Sequence, residues 1–118
     1  MSSKISKVMD FVIELNDGSI VRVDLNPTRG SEQRKIRPCL VVECKASPLS
    51  LVLVMPITDA AGKRGKLLFL ELDDLRRAGL DKSSVIDIYQ IRAIDPIRII
   101  KVLGAVSEEK LQIGRAHV

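Results

Sequence analysis

The sequence predicts a compact, mostly antiparallel β domain of the barrel or sandwich kind, and three observations carry that expectation. Six or seven short apolar runs rich in Val, Ile and Leu follow one another, few helical stretches separate them, and no alternation of strand and helix marks a parallel sheet. At 118 residues the chain fits one domain. Hydrophobic residues make up 46% and charged residues 29%, which excludes a disordered or membrane-embedded class. Aromatics are only 3%, so the core is aliphatic and any base-stacking surface is sparse.

The elements follow in order. Val12 to Leu15 and Ser19 to Leu25 form two strands around Asn16-Asp17-Gly18, because Asp-Gly supplies the positive φ of a tight hairpin turn. Asn26 to Arg37 is a long polar loop, since Pro27 and Gly30 break both periodicities. Pro38 to Val42 and Leu51 to Ile57 are unbroken apolar runs with many β-branched residues, as strands buried on both faces require. Thr58 to Lys66 is a basic, Gly-containing loop, and Leu67 to Leu72 is a further strand. Asp73 is expected to cap a short helix over 74 to 78 that Gly79 ends in a left-handed conformation. Ser84 to Arg92 alternates as one strand, placing Gln90 and Arg92 on the same face, and Ile97 to Leu103 is the last strand. Ser107 with Glu108 and Glu109 opens a terminal helix.

Nineteen Lys and Arg against fifteen Asp and Glu give a net charge of +4, a balance compatible with a polyanionic partner. Cys39 and Cys44 match no zinc spacing, and Cys39 reads as a small core residue. The only histidine is His117. No apolar stretch approaches a membrane span and the first ten residues lack a signal-peptide centre, so the expected address is the cytoplasm.

The stretch from Gly18 through Arg22-Val23-Asp24-Leu25-Asn26-Pro27-Thr28-Arg29-Gly30-Ser31-Glu32-Gln33 to Arg37-Pro38-Cys39-Leu40-Val41-Val42 resembles the opening of the MazF/PemK/Kid toxin family. The likeness continues through Pro56-Ile57-Thr58, Asp81 to Val85 and Gln90-Ile91-Arg92-Ala93-Ile94-Asp95, and ends in Ile99 to Glu109, covering about residues 18 to 112. The resemblance implies a small SH3-like antiparallel barrel of the MazF, PemK and CcdB type. It also implies a metal-independent, cofactor-free endoribonuclease that cuts single-stranded RNA, acts as a homodimer and is silenced by a cognate acidic antitoxin, through which it contacts operator DNA. The domain is thus placed at 18 to 112, after an N-terminal extension of residues 1 to 17. Residues 113 to 118 match the translation of a common sequencing-library adapter, so they are expected to be a non-native tail that truncates the closing helix.

By motif position the catalytic arginine and threonine of the family fall on Arg37 and Thr58. RNA carries its own 2′-hydroxyl nucleophile, so a nuclease needs only to orient it, move protons and stabilise charge on phosphorus oxygens. Arg37 offers a planar fork of donors to phosphate, and Thr58 a hydroxyl donor. Glu32 is the best-placed carboxylate to accept the 2′-hydroxyl proton and ranks below the other two. Arg29, Ser31, Gln33, Arg34, Lys35, Lys63, Arg64, Gln90 and Arg92 are the expected RNA contacts. Arg22 stands where the family often carries an aromatic, which removes a stacking platform. The sequence leaves two alternatives, a toxin of the same fold acting on DNA gyrase, and an RNA- or antitoxin-binding module without turnover.

Overall fold

A computed structural model describes residues 15–26, 35–45, 50–61 and 68–116. Seven strands appear: β1 (Ser19–Asp24), β2 (Ile36–Glu43), β3 (Val52–Asp59), β4 (Leu68–Leu70), β5 (Ser84–Ile86), β6 (Arg92–Ile94) and β7 (Ile99–Ala105). Two helices, α1 (Leu72–Ala78) and α2 (Glu108–Ala116), and two single 3₁₀ turns, Ile88–Gln90 and Pro96–Arg98, are the other elements among the described residues. Every strand pairing is antiparallel. The strand order is β4-β5-β3-β2-β1-β7, with β6 also on β3, and among the described residues this path does not close into a ring. The expected barrel is therefore an open, doubly covered sheet.

The three long strands β1, β2 and β3 are buried on both faces. Ile20, Leu40, Val42, Met55 and Ile57 point to one core, shared with Leu70, Leu75, Ala78, Ile86, Val106 and Leu111 from the short strands and helices. Val21, Val23, Cys39, Val41, Val52 and Val54 point to the other, shared with Leu15, Leu25, Ile94 and Ile99. The unbroken apolar run Cys39 to Val42 follows from this, because neither face of β2 meets water there.

The turn before β1 has the expected geometry. Gly18 has φ +92°, and Ser19 closes the turn by donating its N–H to the Asn16 carbonyl (3.0 Å) while its Oγ accepts from Asn16 N (3.0 Å). The strand expected at 12 to 15 lies outside the described residues apart from Leu15, which is buried.

Two expectations are corrected. The continuous strand over 84 to 92 is broken into β5, a 3₁₀ turn and β6, because the Asp87 side chain accepts from Tyr89 N (3.2 Å) and diverts the backbone into a turn. Gln90 thus lies in the turn and Arg92 in β6, so they do not share the face of one strand. Helix α1 begins earlier than expected, with Glu71 at the N-cap position and Asp73 inside the first turn, where its charge still suits the helix dipole. Gly79 does end it, at φ +73°. At the start of α2, Ser107 Oγ accepts from Lys110 N (3.1 Å), the expected cap.

Helix α1 and β7 meet through two glycines. A Cβ on Gly104 would lie 2.1 Å from the Arg77 carbonyl oxygen, and one on Gly79 would lie 2.2 Å from the Leu103 carbonyl oxygen. Backbone packs on backbone at this seam. No helix among the described residues is long and apolar enough to cross a membrane.

Arg115, near the end of α2, ties the helix to the sheet. Its Nε and Nη2 donate to the Val42 carbonyl (3.2 and 2.7 Å), and Nη2 also donates to Asp17 Oδ2 (2.6 Å). Burial pushes the Asp17 carboxyl up, but the backbone N–H of Cys44 and then the Arg115 guanidinium outweigh it and hold the carboxyl below 3.8.

Gly104→Ala is expected to destabilise the domain by about 1 to 3 kcal/mol, the usual cost of overpacking, measured as a lower urea midpoint. Because the folded Asp17 pKa is depressed, its contribution is present above pH 3.8 and disappears as pH falls through the lowered value. Wild type should accordingly exceed Asp17→Asn in stability above pH 3.8, and the two unfolding curves should converge in stronger acid. With the Asp17 and Arg115 side chains 38% and 33% exposed, the gap is small, on the order of 0.5 kcal/mol.

Candidate active site

The sheet register brings the two central residues together. Cys39 pairs with Pro56 and Leu40 with Met55, and the same register carried two places further sets Arg37 across from Thr58. Both line one cleft of about 260 Å³, at the end of β2 and β3 and beside the segment leading into β5. Pro38, Ile57 and Leu80 form its apolar wall, while Asp59, Asp81, Lys82 and Ser84 give it polar edges. Thr58 is only 6% exposed and Arg37 is half-buried, so both sit within the cleft and not on an open surface.

The neighbouring loop is stitched to β3. Ala60 N donates to the Ser83 carbonyl (3.0 Å), and Ser84 Oγ donates to the Lys82 carbonyl (2.7 Å). Asp59 Oδ1 accepts from Ala61 N (3.0 Å), which turns the chain at the strand end. The polar edge is thus fixed by backbone contacts before any ligand arrives.

Positive charge converges on this end of the sheet. Burial pushes the Cys39 thiol up to about 12, and the guanidiniums of Arg92 and then Arg37 pull against that rise, which sets both arginines close to Cys39. Arg92 is committed to the fold: its Nη1 donates to the Leu25 carbonyl (3.3 Å). Arg98 acts alike, donating to the Asp24 carbonyl (3.2 Å) and to the Asn26 carbonyl. Both brace the neck of the long loop, where Leu25 N donates to the Lys35 carbonyl (3.0 Å) and Lys35 N to Asn26 Oδ1 (3.2 Å). Lys35 takes φ +67° at this neck, unusual for a residue with a Cβ.

Of the residues singled out in the sequence, Arg37 and Thr58 meet in the cleft, and Lys35 stands at the loop neck. Arg92 braces that neck, and Gln90 is in the 3₁₀ turn after β5. Arg29, Ser31, Glu32, Gln33, Arg34, Lys63, Arg64 and His117 lie outside the described residues. Asp59, Asp81 and Lys82 are cleft residues, and Arg98 a brace, that the sequence does not mark as such. The pairing of β3 with β5 brings residues 80 to 84 to Thr58, and the family likeness of Asp81 to Val85 is the one signal in the sequence that points to this segment.

Fold and cleft together define a small antiparallel β protein in which an arginine and a threonine from adjacent strands line one cleft with polar edges of both charges. More specifically, residues 16–116 match the family model of PemK-like, MazF-like toxins of type II toxin–antitoxin systems, and the chain belongs to that family. It is 36% identical over 98 residues to the endoribonuclease MazF of Staphylococcus epidermidis, covering 80% of this chain and 79% of that protein. Its fold matches the crystal structure of MazF from Deinococcus radiodurans with a TM-score of 0.71 at 23% identity, over 86% of this chain and 90% of that one. It also matches a mycobacterial endoribonuclease in complex with its cognate antitoxin, with a TM-score of 0.62 at 17% identity, over 87% and 90% of the two chains.

Both thiols should be unreactive in the folded protein. Cys39 is fully buried with a pKa pushed up to about 12, and burial together with the Asp17 carboxylate pushes half-buried Cys44 up to about 11. Iodoacetamide at neutral pH is expected to label neither quickly, whereas urea-unfolded protein should take up two adducts by mass spectrometry.

Proposed function

We propose that this toxin cuts single-stranded RNA in the cleft between β2 and β3, without a metal ion or other cofactor. The single observation that supports it most is the convergence of Arg37 and Thr58 on one cleft in a chain 36% identical to an endoribonuclease. In the proposed reaction the 2′-oxygen attacks the adjacent phosphorus and its proton passes to a base, for which Glu32 is the candidate. Arg37 stabilises the charge gathering on the non-bridging oxygens and supplies a proton to the departing 5′-oxygen as the P–O5′ bond breaks. Thr58 donates its hydroxyl to a phosphate oxygen. The products are a 2′,3′-cyclic phosphate, or the 3′-phosphate it hydrolyses to, and a 5′-hydroxyl.

Arg29, Ser31, Gln33, Arg34, Lys35, Lys63, Arg64 and Gln90 are proposed to hold the strand, and Arg92 to position the loop neck that presents it. The toxin is proposed to act in the cytoplasm as a homodimer. An acidic antitoxin laid over the cleft would silence it and link it to operator DNA, consistent with the net charge of +4.

Purified protein in EDTA should cut a long mixed-sequence RNA at discrete sites, leave 5′-hydroxyl ends and spare DNA of the same sequence. Arg37→Ala should reduce the rate by about 100-fold or more while leaving the circular dichroism spectrum unchanged. Undiminished cutting by that variant would remove Arg37 from the reaction. Failure of wild type to cut any RNA, together with inhibition of DNA gyrase, would transfer the toxin's target to that enzyme.

A further inference from the structure

Tyr89 is 73% exposed, the only exposed aromatic among the described residues, in a chain with one tyrosine and no tryptophan. A lone exposed tyrosine is ordinary surface in most proteins, but the backbone that carries this one is fixed by hydrogen bonds, one of them to β3, the strand that carries Thr58. Asp87, itself buried, accepts from Tyr89 N (3.2 Å) through its carboxylate and from Gln90 N (3.2 Å) through its carbonyl. The N–H of Asp87 in turn donates to the Pro56 carbonyl (2.8 Å) on β3. Pro56 precedes Thr58 by two residues, about 7 Å along the strand. The anchor of the turn, Asp87, is therefore bonded to β3 two residues before Thr58, and the turn leaves the ring exposed.

We propose that Tyr89 is a stacking platform for the base of a nucleotide flanking the cleaved phosphate. This rests on the RNA-cutting reading above and adds a residue to it. A base unstacked from its neighbours offers a π-face whatever its identity, and a ring carried on a backbone already fixed by hydrogen bonds has only its own side-chain torsions to lose in meeting it. Arg37 and Thr58 hold the phosphate, and Tyr89 holds the adjoining base, which fixes the direction of the strand across β3.

The single tyrosine makes the test direct, since all tyrosine emission of the protein belongs to Tyr89. An RNA oligonucleotide containing the mapped cut site, with a 2′-deoxynucleotide at the scissile position, is titrated into wild type, and cleavage kinetics of the all-RNA oligonucleotide are measured for wild type, Tyr89→Ala and Tyr89→Phe. The expected result is saturable quenching of the emission in parallel with binding, and a rise in KM of roughly ten- to a hundredfold for Tyr89→Ala that falls on KM more than on kcat. Tyr89→Phe should recover most of that loss. Wild type that cuts RNA with its emission unchanged on binding, and with KM unaltered in Tyr89→Ala, would overturn the platform and leave the nuclease standing. Unaltered KM with weakened dimerisation or antitoxin binding in Tyr89→Ala would overturn it by assigning the ring to a protein interface. Wild type that neither cuts nor binds RNA would sink the nuclease reading and the platform with it.

Discussion

Strand β3 is the constraint on which the other elements depend. It is hydrogen-bonded along one edge to β2 and along the other to β6 and then β5, and its side chains enter the cores on both faces. A slip of one residue would exchange the two faces, sending Met55 and Ile57 to the core built for Val52 and Val54. The register is consequently rigid, and the juxtaposition of Arg37 with Thr58 is a by-product of it. Pro56 sits where the outer edge changes partner from β6 to β5. Having no N–H to offer a ladder, it suits that interruption, while its carbonyl remains in use by Asp87.

Much of this was legible in the sequence, for reasons that vary by element. Asp17-Gly18, Gly79 and Ser107 announce their turn and caps because the chemistry is local. The runs Cys39 to Val42 and Val52 to Ile57 reveal two-sided burial because so few polar residues interrupt them. Residues 84 to 92 misled because their alternation fits a strand, while the outcome is decided by one Asp87 carboxylate competing for the backbone. Within the site, Arg37 and Thr58 were found through motif resemblance and not through chemistry. Asp59, Asp81 and Lys82 carry no sign of a place in the cleft, although Asp81 and Lys82 belong to a segment of the family likeness, because what brings them there is strand pairing.

Charge also divides between two uses that composition cannot separate. Arg92, Arg98 and Arg115 each donate to backbone carbonyls, of Leu25, of Asp24 and Asn26, and of Val42. These guanidiniums act as structural donors for backbone carbonyls near strand ends, a role in which the planar fork is more useful than the charge. A carbonyl cancels none of their charge, so these arginines still contribute to the net +4, while in the cleft itself the cations Arg37 and Lys82 stand beside the carboxylates Asp59 and Asp81.

The pairing of β1 with β7 has a consequence in time. These strands come from opposite ends of the described chain, and β1 has β2 on its other edge from early on, whereas β7 arrives late. During synthesis β1 is an unsatisfied edge, rich in Val and Ile, until the segment from Ile99 emerges. Closing so distant a pair is slow, because chain entropy is lost before the contacts form. The toxin's sheet is thus complete only once the segment from Ile99 to Ala105 has joined strands formed some eighty residues earlier.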